Sequence, residues 1–276
     1  MQKRDSLRLL GCQVAIPDAV CASDRDRHVA SLCERIADHL AESGPVDLIV
    51  LPELCTLPYS REAFEALDDL AESLEGVSVT RFAELARAQS AMVVFGMARR
   101  TDTGFRISQV ILSETGDVAA CYDKMHLCQY GASCEKEFFE RGEKMTVVSL
   151  KGWKVAPLIC YDIRIPEMSR ALVLEHHADL LLHCGAYFRD ESFATWHNFA
   201  TARAMENQVY LLSLNRAGKN YGSSLFCSPW MDETHPAVAF AEHAEEFRFV
   251  ELDPNLPDDT RSMYTFLKDR HTQYSL

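Results

Sequence analysis

Three short apolar runs of this chain end abruptly in an ionisable side chain, and that pattern constrains the fold more than any other feature. DLIVLP runs into Glu53, AACYD into Lys124 and KVAPLI into Cys160. A short run that is apolar throughout reads as a strand buried on both faces, so its sheet needs cover on both sides. Amphipathic segments between the runs supply that cover. SDRDRHVASLCERIADHLAES carries Val29, Leu32, Cys33, Ile36 and Leu40 at helical spacing, with Ser23 or Asp24 as N-cap. Further helices are expected around 61–73 and 78–90, in IPEMSRALVLEHH and in ESFATWHNFATARAMENQ. Residues 7–16, AMVVFGMA, DLLLHCGAY, QVYLLSLNR and YGSSLFCSPW read as strands.

Two hairpins break the alternation. FRISQVILSETGDVAACYD turns at Glu-Thr-Gly-Asp, and MTVVSL turns at Lys151-Gly152 into WKVAPLICYD. Residues 125–142 have no period and read as a loop or lid. The expectation is one α/β domain over 1–252 with mixed sheets covered by helices, followed by a polar tail, 253–276, without a core of its own. A nucleotide-binding sheet is disfavoured, because neither Gly-x-Gly-x-x-Gly nor Gly-x-x-x-x-Gly-Lys-Ser/Thr occurs.

Charge and cysteine usage narrow the partners. A formal net charge of -13, with no run of Lys and Arg, disfavours nucleic acid and membrane surfaces and favours small substrates. The start, MQKRDSLRLLGCQVAIPDAV, resembles a signal peptide only superficially. Gly11 and Gln13 interrupt it and no small-residue cleavage site follows, so a first strand and a cytoplasmic protein are expected. Ten irregularly spaced cysteines without Cys-x-x-Cys are expected to be free thiols. His176, His177, His183 and Cys184 fit no standard ligand spacing, so neither metal nor cofactor is expected.

Residues at strand ends face the crevice that loops form at the carboxyl edge of a sheet. Cys160 precedes a helix that Pro166 opens, where unpaired N–H groups and the helix dipole would favour thiolate. Taken singly, Cys160 also reads as a core thiol, Glu53 as a helix cap and Lys124 as a solvated lysine. Taken together they offer the base, the nucleophile and the cation that amide hydrolysis needs. A cysteine phosphatase would need Arg six positions after the cysteine, where Pro166 stands. A papain-type pair would need a histidine at a comparable strand end, and none is read there.

LPELCTLPYS, YDKMHL and LICYDIRIPEMSR resemble the three signature segments of the nitrilase superfamily, the carbon–nitrogen hydrolases. RAMENQVYLLSLNRAG and YGSSLF extend the resemblance in order to about residue 252. It implies a four-layer α-β-β-α sandwich with two mixed β-sheets. It also implies a thioester mechanism with Cys160 as nucleophile, Glu53 as base and acid, and Lys124 with the Tyr161 backbone N–H as oxyanion donors. CEKEFFERGE resembles the loop bearing the family's second glutamate, which maps to Glu135. Association into a homodimer or larger homo-oligomer is implied, through IPEMSRALVLEHH and ESFATWHNFATARAMENQ, and the aromatics of the tail RSMYTFLKDRHTQYSL, read by themselves, suit docking on a neighbour.

Cys-Tyr-Asp at the nucleophile resembles the amidase and carbamoylase branches, whereas nitrilases carry Cys-Trp-Glu. Arg164 reads either as a carboxylate-binding group or as a surface arginine paired with Glu167 or Asp162. Tyr59 and Tyr187 are candidate pocket residues. HCGAYF and FCSPWMDETHPAVAF depart from the family pattern beside the expected pocket. The expected function is hydrolysis of a small, carboxylate-bearing amide. An N-carbamoyl substrate is the enzymatic alternative, and a catalytically silent binding protein is the alternative of another class.

Overall fold

The computed structural model describes residues 3–271 and 273–275. One sheet contains β1 (Leu7–Gln13), β2 (Leu48–Val50), β3 (Met92–Arg100), β4 (Phe105–Leu112) and β5 (Val118–Asp123). The other contains β6 (Val148–Leu150), β7 (Trp153–Ile159), β8 (Leu180–Cys184), β9 (Tyr210–Leu214), β10 (Leu225–Cys227) and β11 (Val238–Ala239). β12 (Glu246–Leu252) then returns to the first sheet, antiparallel to β1. The spatial orders are β12-β1-β2-β3-β4-β5 and β11-β10-β9-β8-β7-β6. In each sheet three central strands are parallel, β1-β2-β3 and β7-β8-β9, and antiparallel strands flank them. Parallel neighbours need crossovers, which here are helical.

Side-chain alternation along the strands produces the layers. Leu9, Leu48 and Val50 meet Leu180, Leu182 and Leu212 between the sheets. The opposite face of the first sheet, with Leu10, Ile49 and Phe95, packs on Val29, Leu32 and Ile36 of the Ala22–Ser43 helix and on Phe82 of the Val77–Gln89 helix. The opposite face of the second sheet, with Ala156, Leu158 and Leu181, packs on Leu172 of the Pro166–Leu174 helix and on Trp196 and Ala200 of the Phe193–Asn207 helix. The result is the α-β-β-α sandwich with two mixed sheets. Among the described residues no helix is long and apolar enough to cross a membrane.

Several boundaries differ from expectation for local reasons. The first helix begins at Ala22 with Cys21 as N-cap, so Ser23 and Asp24 lie inside it. Asp24 instead places its carboxylate near the positive end of the helix. The span 61–73 forms two short pieces, Arg61–Glu65 and Leu67–Leu70, with Ala66 between them. YGSSLFCSPW is a strand only over Leu225–Cys227, because Gly222 (φ +90) and Ser223 (φ +57) are both left-handed. At the β6–β7 turn, Lys151 and Gly152 both have positive φ (48 and 83), as a tight hairpin of the right twist requires. Within the tail, the Leu256–Met263 helix lies against its own chain. Arg4 bridges Asp179 and Asp258, and the Gln208 amide donates to the Tyr264 carbonyl at 2.7 Å.

Candidate active site

Glu53, Lys124 and Cys160 follow β2, β5 and β7, so the sandwich brings three distant sequence positions to one edge. Cys160 starts a 3-10 turn, Cys160–Arg164, with φ +45, a conformation that is strained for a side chain other than glycine's. Asp162 fixes the turn. Its Oδ2 accepts the Ile159 N–H at 2.9 Å and the Tyr122 hydroxyl at 2.7 Å. Its Oδ1 accepts the His126 N–H at 3.1 Å and lies 2.7 Å from His126 Nδ1. A histidine does reach the backbone of the cysteine, though not its thiol, so it forms no papain-type pair. It is His183, from β8, with Nε2 2.9 Å from the Cys160 carbonyl oxygen.

The charged groups form a closed cluster. Glu53, Lys124 and Glu135 are each 0% exposed. Lys124 Nζ donates to Glu53 Oε1 and to Glu135 Oε1, both at 2.7 Å. The second oxygen of Glu53 accepts the Ala186 N–H at 2.9 Å, and that of Glu135 accepts the Cys128 N–H at 2.9 Å. Tyr59 donates its hydroxyl to Glu135 Oε1 at 2.6 Å. The backbone around Glu53 is held equally tightly. Arg216, itself buried, donates to the carbonyls of Glu53, Leu54 and Leu57. β3 passes so near that a Cβ on Gly96 would lie 2.5 Å from both Leu54 N and Pro52 O. Only glycine permits that approach.

Burial pushes the Glu53 carboxyl above its ordinary value, and the Glu135 charge adds to the rise while Lys124 opposes it. Burial works against the Lys124 ammonium, but Glu135 and Glu53 hold its pKa well above the usual lysine value. Burial, then the charge of Glu53, pushes the Cys160 thiol well up. The expected thiolate is therefore not the resting form. Cys160 is only 9% exposed, and desolvation with two neighbouring carboxylates outweighs the pull of one lysine and a single short turn. The arrangement can hold a neutral thiol near a buried carboxylate that is itself paired with a lysine cation.

Cys160 faces a pocket of about 400 Å³, counted with its open mouth, and Tyr59, Tyr161, Arg164 and Tyr187 line it. Arg164 pairs with neither Glu167 nor Asp162. Its Nη1 reaches Thr195 Oγ1 at 3.3 Å, its Nη2 is buried without a partner among the described residues, and its guanidinium lies 4.9 Å from the Phe199 ring centre. Tyr187 presents its ring to the pocket, but its hydroxyl donates inward to the Cys160 carbonyl at 2.8 Å.

The sequence matches the carbon–nitrogen hydrolase family over residues 12–261. The chain belongs to the carbon–nitrogen hydrolases. It is 30% identical over 262 residues to an (R)-stereoselective amidase of a Pseudomonas species, covering 94% of this chain and 92% of that relative. An omega-amidase of Escherichia coli K12 is 34% identical over 176 residues, 63% of each protein. The structure superposes on Saccharomyces cerevisiae Nit3, a member of branch 10 of the nitrilase superfamily, with TM-score 0.83 and 24% identity over 95% of this chain and 96% of that one. In this hydrolase, sequence reasoning missed Asp162, Arg216 and His183 as supports of the site. Asp162 and Arg216 lie within the quoted segments CYD and LNR, but their roles depend on contacts between elements distant in sequence.

Proposed function

We propose that this hydrolase is a thiol amidohydrolase that cleaves a small, carboxylate-bearing amide to acid and ammonia. The observation that carries the reading is the Lys124 ammonium clamped between Glu53 and Glu135 beside a buried thiol at a pocket floor. Glu53 takes the Cys160 proton as the sulfur attacks the amide carbonyl, so proton transfer and attack are coupled and no free thiolate need accumulate. The oxyanion is met by Lys124 and the Tyr161 N–H. Glu53 then gives the proton to departing ammonia and next activates the water that opens the thioester. Glu135 holds Lys124 from its other side. The unpartnered Nη2 of Arg164 in the pocket wall supports a carboxylate on the substrate, which a guanidinium binds in bidentate fashion. The chain acts as a homodimer or larger assembly, with residues 1–252 carrying the chemistry and the tail beyond Thr265 facing a second copy.

Ammonia release from a panel of dicarboxylic monoamides, plain aliphatic amides, N-carbamoyl amino acids and nitriles tests the reading, with Cys160→Ala as the blank. Release from the monoamides by the wild type alone is expected. Equal release by Cys160→Ala would remove the nucleophile assignment, and carbon dioxide appearing with ammonia would select the carbamoyl alternative. No turnover of any panel member by the wild type would favour a silent binding protein.

A further inference from the structure

We propose that His183 and Tyr187 are positioning residues that orient and polarise the Cys160–Tyr161 peptide so that its N–H serves as the oxyanion donor. The inference rests on the thiol amidohydrolase reading. It begins with one oxygen. The Cys160 carbonyl is buried and lies 2.9 Å from His183 Nε2 and 2.8 Å from the donating Tyr187 hydroxyl, so both its lone pairs are engaged.

Neighbouring groups determine which nitrogen of His183 carries the proton. Trp196 Nε1 can only donate, and it donates to Ser213 Oγ at 2.7 Å. The Cys160 carbonyl oxygen can only accept, so the proton of the neutral imidazole sits on Nε2, and Nδ1 accepts the Ser213 hydroxyl 2.7 Å away. Burial keeps the imidazole neutral, with its pKa down to about 4. Tyr187 is fixed as well. Its ring stacks on Trp196 at 4.5 Å and 8°, and its N–H donates to Asn215 Oδ1 at 2.8 Å.

A trans peptide is planar, so the Tyr161 N–H points opposite to the Cys160 carbonyl. Two donors that hold the carbonyl therefore fix the direction of the N–H. They also draw electron density toward oxygen, which makes the N–H a stronger donor. The positive φ of Cys160 makes this restraint necessary, because relaxation of that dihedral would swing the peptide plane. His183 and Tyr187 both come from the segment HCGAYF at the end of β8.

The experiment uses the full chain, the fastest amide of the panel above and the aldehyde with the same acyl group, whose hemithioacetal mimics the tetrahedral state. Tyr187→Phe removes one oxygen and keeps the ring stack. A fall of about tenfold in kcat is expected, with KM changed less than about twofold and aldehyde affinity falling in step with kcat. His183→Met should lose more, and His183→Gln, which returns an N–H near the Nε2 position, should recover most of the loss. Unchanged kcat and aldehyde affinity in Tyr187→Phe would overturn the inference, whether or not His183→Met folds. So would a kcat loss that merely follows the titrated fraction of active enzyme. If Cys160→Ala stays active, the underlying reading fails instead, and the two failures are distinct.

Discussion

Behind the pocket wall, Glu53, Lys124, Glu135 and Cys160 are buried together, and the charges in this group shift the protonation of Glu53, Lys124 and Cys160. The site titrates as a unit. In the proposed mechanism Glu53 acts as a base, which requires it ionised, and burial raises its pKa. The kcat/KM profile should therefore fall on the acid side through an apparent pKa above the ordinary glutamate value of about 4.3. Glu135→Gln removes a negative charge that helps to raise Glu53, so the acid limb should move to lower pH even as kcat drops. An acid limb that moves upward, measured as kcat/KM against pH, would contradict this coupling. Cys160 could be singled out from ten cysteines only in the company of Glu53 and Lys124 and through the resemblance of its segment, since taken alone it reads as a core thiol. Its neutral resting form could not be read, because desolvation arises from loops and strands far away in sequence.

At the scale of elements, the site depends on close approaches between segments. β3 runs under the Pro52–Leu54 turn, and Arg216 after β9 ties the same turn from the other side. Gly96→Ala would put a methyl group against two backbone atoms, neither of which can rotate away. It should destabilise the protein by about 1–3 kcal/mol, seen as a lower melting temperature. It should also cut kcat at least about tenfold by displacing Glu53. Unchanged melting and activity would mean that the turn is softer than its contacts imply. Both hairpins were legible because Gly116 and Lys151-Gly152 announce turns of positive φ. The break at Ala66 was not, since the sequence around it keeps a helical pattern, and neither was the short β10, since serine at 223 does not announce a positive φ.

At the scale of the molecule, the two sheets bury their inner faces in each other, and among the described residues the tail carries three exposed large hydrophobic side chains. Met263 is 73% exposed, Phe266 40% and Tyr274 80%. Tyr264, by contrast, stacks on Trp230 at 3.8 Å within the same chain. Exposed aromatics next to a docked helix suit a second copy. Light scattering should give a dimer or larger species for the full chain. Removal of the residues after Thr265 should weaken assembly while leaving the melting transition in place. A monomeric full chain at tens of micromolar would remove the proposal.

The sequence by itself determined the strand and helix alternation, the two hairpins and the three ionisable strand ends, because these follow from local periodicity and turn chemistry. With the resemblance carried by its motifs, it also determined the sandwich. Tertiary structure alone decided that Lys124 sits between two carboxylates, that Arg164 keeps an unpartnered nitrogen at the pocket, and that His183 and Tyr187 converge on the Cys160 carbonyl. The contacts of Lys124, His183 and Tyr187 join residues 11 to 71 positions apart. Their energies depend on burial and distance, which no local pattern encodes.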